Sequence, residues 1–255
     1  MRILSLLTLS ATLLLCVCRP GTCECKPATD DPLRKETAQA LPPEYREGFQ
    51  YAEYAAGEIG GKRFVFACCV SLRGIKTLIK PTVSAFLLVA DGDRLRETWR
   101  SAYQCDWIPT SVELFYPKGQ DTVVIAVETH VSHASIGEDI LRVYRYDGKS
   151  TAPVHLLTAG YINGNYATIP NAAGGAPAFL VYDPMFMFEQ WNKFPPQRYR
   201  FRAYVPSQSG GYRLSVICTT KRYDKADQAL EDVRSSLAAM LGSDYTVPTT
   251  LRREK

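Results

Sequence analysis

The sequence has 255 residues, 46% hydrophobic and 22% charged, with a formal net charge of +4. That is ample apolar material for one sizeable core, and too little excess charge for a nucleic-acid or anionic-membrane binder. The lack of a Gly-x-Ser-x-Gly elbow, a His-Glu-x-x-His pair and a glycine-rich phosphate loop removes the commonest hydrolase and nucleotide-binding signatures.

In chain order, the first feature is an export signal. Arg2 precedes an apolar run from Ile3 to Leu15, broken only by Ser5, Thr8, Ser10 and Thr12. The run is too short, and too abruptly ended by Arg19-Pro20, to span a bilayer, and it fits a secretory signal over residues 1–23. No other stretch has the length of a transmembrane helix, so the mature chain is expected to be exported: periplasmic, cell-surface or secreted. Cys16, Cys18 and Cys23 lie where a lipoprotein signal would end, but none has the usual small residue directly before it. Ordinary cleavage near Cys18 or Cys23 therefore stands beside a lipid anchor as the alternative. Cutting after Cys23 removes Arg2 and Arg19 and lowers the net charge to +2.

Residues 24–43, rich in Pro, Asp, Lys and Thr, read as a flexible leader. Glu44 to Ala56 then reads as a short helix with Tyr45, Phe49, Ala52 and Ala56 on one stripe, ended by Gly57, Gly60 and Gly61.

From there to Tyr223 the chain repeats one pattern three times. An apolar strand opens each unit: Phe64 to Val70, Thr122 to Val127, and Ala178 to Tyr182. A second strand runs into a glycine turn: Ala85 to Ala90 before Asp91-Gly92, Ile140 to Tyr146 before Asp147-Gly148, and Tyr199 to Val205 before Gly210-Gly211. A third follows: Leu95 to Tyr103, Val154 to Leu157, and Tyr212 to Cys218. Asp-Gly between apolar runs signals a hairpin whose favoured turn needs positive φ at both central residues. Gly92 and Gly148 are 56 residues apart, and Gly148 and Gly210 are 62 apart. Opening strands that are nearly all apolar should be buried on both faces. Later strands alternate, with Arg198, Arg200 and Arg202 on one side and Tyr199, Phe201 and Ala203 on the other.

These elements predict a mainly β fold of about three antiparallel, propeller-blade-like meander units, with a short N-terminal and a C-terminal helix, as one domain over residues 44–242. For the C-terminal helix, Asp224 reads as the N-cap, Leu230, Val233, Leu237 and Leu241 as the buried stripe, and Gly242 as the stop. It should pack on a sheet face or cover an edge. Residues 243–255 read as a disordered tail. Over Gly57 to Tyr223 the pattern resembles bacterial exported propeller-type β-repeats of the FG-GAP or VCBS kind. Of their calcium loop only Asp91-Gly92-Asp93 is present, so the resemblance implies no calcium site here.

Candidate sites follow from this frame. Glu128 and His130 share a strand face at period two, and His133 can curl back from the loop, so the three together are a candidate transition-metal site. Phe188, Trp191 and Phe194 lie in an apolar insertion between Asp183-Pro184 and Pro195-Pro196, where rings could stack on a sugar or peptide or form a lid over the core. Arg198, Arg200 and Arg202, with Arg142 and Arg145 as further members, could meet a carboxylate-bearing ligand or serve as a solubility face. In an exported chain cysteines invite disulfides. Cys68 and Cys69 as strand neighbours must point to opposite faces, and buried thiols or one disulfide with Cys105 or Cys218 fit better than zinc.

The resulting expectation is a non-enzymatic exported binding or scaffold protein of the cell envelope. Its partner is an envelope protein or a carbohydrate or peptide ligand, and no cofactor is implied. The alternatives are a hydrolase of an extracellular polymer using rim carboxylates or His130 and His133, and an envelope assembly partner.

Overall fold

The computed structural model describes residues 31–71, 82–103, 108–133, 136–185 and 196–251. Twelve strands among them form three antiparallel sheets of four strands, laid down in chain order. Sheet 1 is β1 (Glu53–Ile59), β2 (Lys62–Ser71), β3 (Thr82–Asp91) and β4 (Arg94–Tyr103). Sheet 2 is β5 (Ile108–Phe115), β6 (Val123–His133), β7 (Ile136–Tyr146) and β8 (Val154–Ile162). Sheet 3 is β9 (Asn165–Ile169), β10 (Ala178–Pro184), β11 (Gln197–Pro206) and β12 (Tyr212–Tyr223). Each sheet is an open meander.

All nine strands expected from the repeat are present, and each sheet holds one more: β1, β5 and β9 come before the runs that looked like openings. The apolar runs are therefore second strands, paired on both sides. That position explains their composition. Every residue of β10 is buried, and Phe64 to Val70 of β2 is at most 1% exposed.

Period-two alternation sorts these side chains into layers. Phe64, Phe66 and Cys68 pack with Val123, Ile125, Tyr144 and Tyr146 between sheets 1 and 2. Val124, Ala126, Leu141 and Tyr161 pack with Tyr166, Phe179 and Val181 between sheets 2 and 3. The far faces of sheets 1 and 3 are just as apolar. Val65, Ala67 and Leu88 are covered by Leu41, Tyr45 and Phe49 from the N-terminal segment. Leu180, Phe201 and Ala203 are covered by Leu230, Val233 and Leu237 of the C-terminal helix. The order is helices, sheet, sheet, sheet, helix, which buries every apolar sheet face.

The N-terminal helices differ from expectation. α1 (Pro32–Ala40) lies inside the stretch read as a leader, with Asp31 as its N-cap accepting from Leu33 N at 3.0 Å and Pro32 in its first turn. Instead of one helix over 44–56 there is a four-residue α2 (Pro43–Arg46), a 3-10 turn (Phe49–Tyr51) and then β1. Tyr45, Phe49 and Ala52 do share one buried cluster. Their spacing looks helical because all three cover sheet 1, although the backbone changes type between them.

At the other end, α3 (Ala226–Leu241) buries Leu230, Val233, Leu237 and Leu241 as predicted. Its N-cap is Lys225, without a side-chain hydrogen bond, and not Asp224. The tail is a second correction, since it is ordered as far as Leu251. Tyr245 bridges to Asn171, Val247 and Leu251 are buried beside α3, and Leu251 N donates to Asp227 Oδ1 at 2.7 Å.

The glycine turns are present with different geometry. Gly92, Gly148 and Gly210 have φ of 60°, 70° and 89°, but among the described residues Asn163 alone is a non-glycine at positive φ. Asp91 and Asp147 are therefore not in the double-positive turn. Asp147 instead uses its carboxylate, accepting from Lys149 N at 2.9 Å and Ser150 N at 2.8 Å.

Candidate functional site

Strands β2, β6 and β10 run toward one end of the stack, and part of the buried polarity lies there. Among the described residues the buried polar or charged side chains are Thr37, Ser84, Glu128, Thr129, Asp183 and Thr220. Ser84, Asp183 and Thr220 lie toward this end of their strands, and Glu128 and Thr129 lie near the middle of β6. Burying charge is costly unless it is paired and hydrogen-bonded. The richest part is the gap between sheets 2 and 3.

From sheet 2, β6 turns Val124, Ala126, Glu128 and His130 toward this gap. Glu128 is 6% exposed. Its Oε2 accepts from Thr110 Oγ1 at 2.6 Å and from Ser111 Oγ at 3.5 Å, while its Oε1 accepts the Tyr161 hydroxyl. A register shift in β5 between Pro109 and Ser111 lets two consecutive hydroxyls reach one carboxylate. Burial, and then the adjacent Glu128 charge, push the Tyr161 hydroxyl far above the usual phenol range. Tyr166, 3.4 Å from Ser111 Oγ, is raised mainly by burial. At the rim, His130 Nδ1 lies 2.8 Å from Oδ1 of its cross-strand neighbour Asp139.

From sheet 3, Asp183 points into the same gap and accepts both Nε and Nη2 of Arg200, the shortest contact being 2.7 Å. Arg202 donates to the Gly160 carbonyl at 2.6 Å, across the gap on β8, and lies 3.5 Å from Asp183. Its Nε is buried with no hydrogen-bond partner.

The alternation of Arg198, Arg200 and Arg202 with Tyr199, Phe201 and Ala203 holds, since the latter three pack under α3. Arg202, however, clasps sheet 3 to sheet 2, and Arg200, half-buried, pairs with Asp183 within sheet 3. Arg198 is exposed at the mouth. Arg142 does not join them. It faces the gap between sheets 1 and 2, 3.9 Å from the Tyr103 ring centroid and 2.7 Å from Thr129 Oγ1. Arg142 pairs with Val127 on β6 as Arg202 pairs with Val181 on β10. In each gap an arginine from the third strand thus reaches back to the preceding sheet, a relic of the repeat in three dimensions.

Of the candidate metal ligands, Glu128 and His130 share a face as expected, and each has the protein partners given above. The His133 side chain lies outside the described residues. Among the described residues no three His, Cys, Asp or Glu side chains come together as a metal site. Phe188, Trp191 and Phe194 also lie outside them, on the connection that joins Asp183 to Arg198. Cys68 and Cys69 are buried on opposite faces, and burial raises the Cys69 thiol, which suits packing over reactivity. Cys218 is free and half-buried, and Cys105 falls outside the described residues.

Tyr161, Thr110 and Ser111 were not expected at the site. They come from β5 and β8, one of them absent from the repeat pattern, and no local motif marks them. Among the described residues no helix is long and apolar enough to cross a membrane. No family model, curated protein or solved structure matches this chain.

Proposed function

We propose that this chain is a non-enzymatic exported binding protein of the cell envelope, with its ligand surface at the end of the stack where the second and third sheets carry their buried charges. The observation behind this reading is the placement of Glu128, Asp183, Arg200 and Arg202 in one gap. A fold alone would do as well with apolar residues there, because replacing buried ion pairs by well-packed apolar groups is often neutral or stabilising. A surface that presents Arg198 needs a rigid base, and a clasped, hydrogen-bonded network supplies one.

Glycan and peptide arrays probed with the whole protein test the reading. A ligand class should emerge whose affinity falls about tenfold in Arg198→Ala, equivalent to about 1.4 kcal/mol, while Tm stays unchanged. Binding that ignores both Arg198→Ala and Trp191→Ala would remove the proposed surface.

A second reading, hydrolysis of an extracellular polymer, draws on the His130–Asp139 contact, since a base oriented by a carboxylate is a recurring catalytic arrangement. Turnover of a polysaccharide or peptide polymer that disappears in His130→Asn would favour it. Unchanged turnover in that variant would exclude His130 as the base.

A further inference from the structure

Six strands stand at a sheet edge: β1 and β4, β5 and β8, β9 and β12. An edge strand offers unpaired backbone to any other chain, and proteins blunt such edges with charges, proline, short length or a cover. Five of the six are blunted in themselves. Glu58 marks β1, Arg96 and Arg100 mark β4, Pro109 marks β5 and Lys221 marks β12, while β9 has only five residues. β8 has nine residues with no charge and no proline, and Val154, His155 and Thr158 along it are exposed.

What β8 lacks in its own sequence it receives from sheet 3. A register shift beside Leu156 leaves residues 157–162 regularly paired with β7. Within that run the Gly160 carbonyl accepts from Arg202 Nη2 at 2.6 Å. At the shift itself the β11–β12 turn passes the backbone, where a Cβ on Gly211 would stand 3.5 Å from Leu156 O. A carboxylate is also near, since Glu138 Oε1 lies 2.7 Å from the place of a Gly160 Cβ, but Glu138 belongs to β7, inside the edge.

Arg202 is a costly way to fill this position. Its side chain is 15% exposed, its Nε is buried with no hydrogen-bond partner, and Asp183, 3.5 Å away, already holds Arg200 at 2.7 Å. A buried N–H without an acceptor costs stability, and an apolar side chain of similar volume would avoid that cost. Stability therefore does not account for an arginine here. Covering an unguarded edge does.

We infer that Arg202 is an edge guard: by fixing sheet 3 on the β8 backbone, it keeps that strand from pairing with β8 of a second copy. The second copy is the partner to exclude because β8 laid antiparallel on itself opposes no like charges, the feature that deters the charged edges. The role is independent of any ligand at the mouth, so Arg198→Ala leaves it untouched.

Size exclusion with light scattering, alongside urea unfolding, tests this on the full-length protein. Arg202→Met removes the donor and keeps the bulk, and its weight-average mass should rise about twofold, as a closed two-fold pairing requires, with cooperative unfolding retained. Arg202→Gln, too short to reach Gly160, should behave alike. Adding Thr158→Lys, at an exposed position of β8, should return either variant to monomer by bringing like charges together across the pair. A folded Arg202→Met or Arg202→Gln protein that stays monomeric would overturn the inference. So would association that survives Thr158→Lys, since another surface would then be responsible. Loss of cooperative unfolding in both variants would do the same, because Arg202 would then serve stability.

Discussion

At the scale of single residues, the molecule depends on a few buried charges having the right neighbours. Asp183, with its side chain 4% exposed, answers Arg200 at 2.7 Å. Truncating it in Asp183→Ala strands a guanidinium in the gap and should cost about 3 kcal/mol in urea unfolding. Asp183→Leu combined with Arg200→Met should cost clearly less than the two single changes added, because the unpaired charge is gone. An additive result would show that the pair is not coupled. Asp147 is a surface case with a pH signature. The Ser150 and Lys149 amides hold its carboxyl at about 2, below the usual aspartate range. A depressed folded-state value means that its contribution is present above the unfolded value and is lost as pH falls toward 2. Wild type and Asp147→Asn should therefore differ in Tm at pH 5 and converge near pH 2, as measured by calorimetry.

At the scale of elements, the period-two runs were legible and the first strand of each sheet was not. β2, β6 and β10 are central strands, so their side chains are apolar on both faces and stand out against any background. β1 has the burial pattern of an edge, mostly exposed or intermediate, and its Ala-Ala-Gly-Glu stretch carries no alternation. β5 carries Pro109 and a bulge near its start, and β9 is only five residues long. The C-terminal helix was legible because one stripe faces one surface. Its cap was not, since Asp224 and Lys225 compete within one residue and only the backbone decides. With Lys225 at the cap and no side-chain acceptor there, Lys225→Ser should stabilise the protein by about 1 kcal/mol. A fall in urea midpoint would show that Lys225 has another role.

At the scale of the whole molecule, three sheets stacked face to face leave two apolar outer faces, and helices from the two ends of the domain close them. α3 contributes Ala229, Leu230 and Leu237, each fully buried. Removing residues 226–251 should therefore expose Leu180, Phe201 and Ala203, giving a protein that binds an apolar dye and aggregates, with its β content retained. If that truncation stays monomeric and dye-silent, sheet 3 does not need its cover.

What the amino-acid order determined by itself is whatever depends on neighbours in the chain: the strands buried on both faces, the glycine corners, the helical stripe and the two-sided split of β11. What only the tertiary structure decided is which faces meet. Glu128 looked like one carboxylate beside a histidine, and became a buried acceptor because β5 and β8 bring Thr110, Ser111 and Tyr161 to it. The arginines of β11 looked like a wet face, and one of them, Arg202, became a clasp because sheet 2 stands opposite it. A strand's period tells which residues share a side. The partner of that side comes from a sheet elsewhere in the chain, and no local periodicity carries that information.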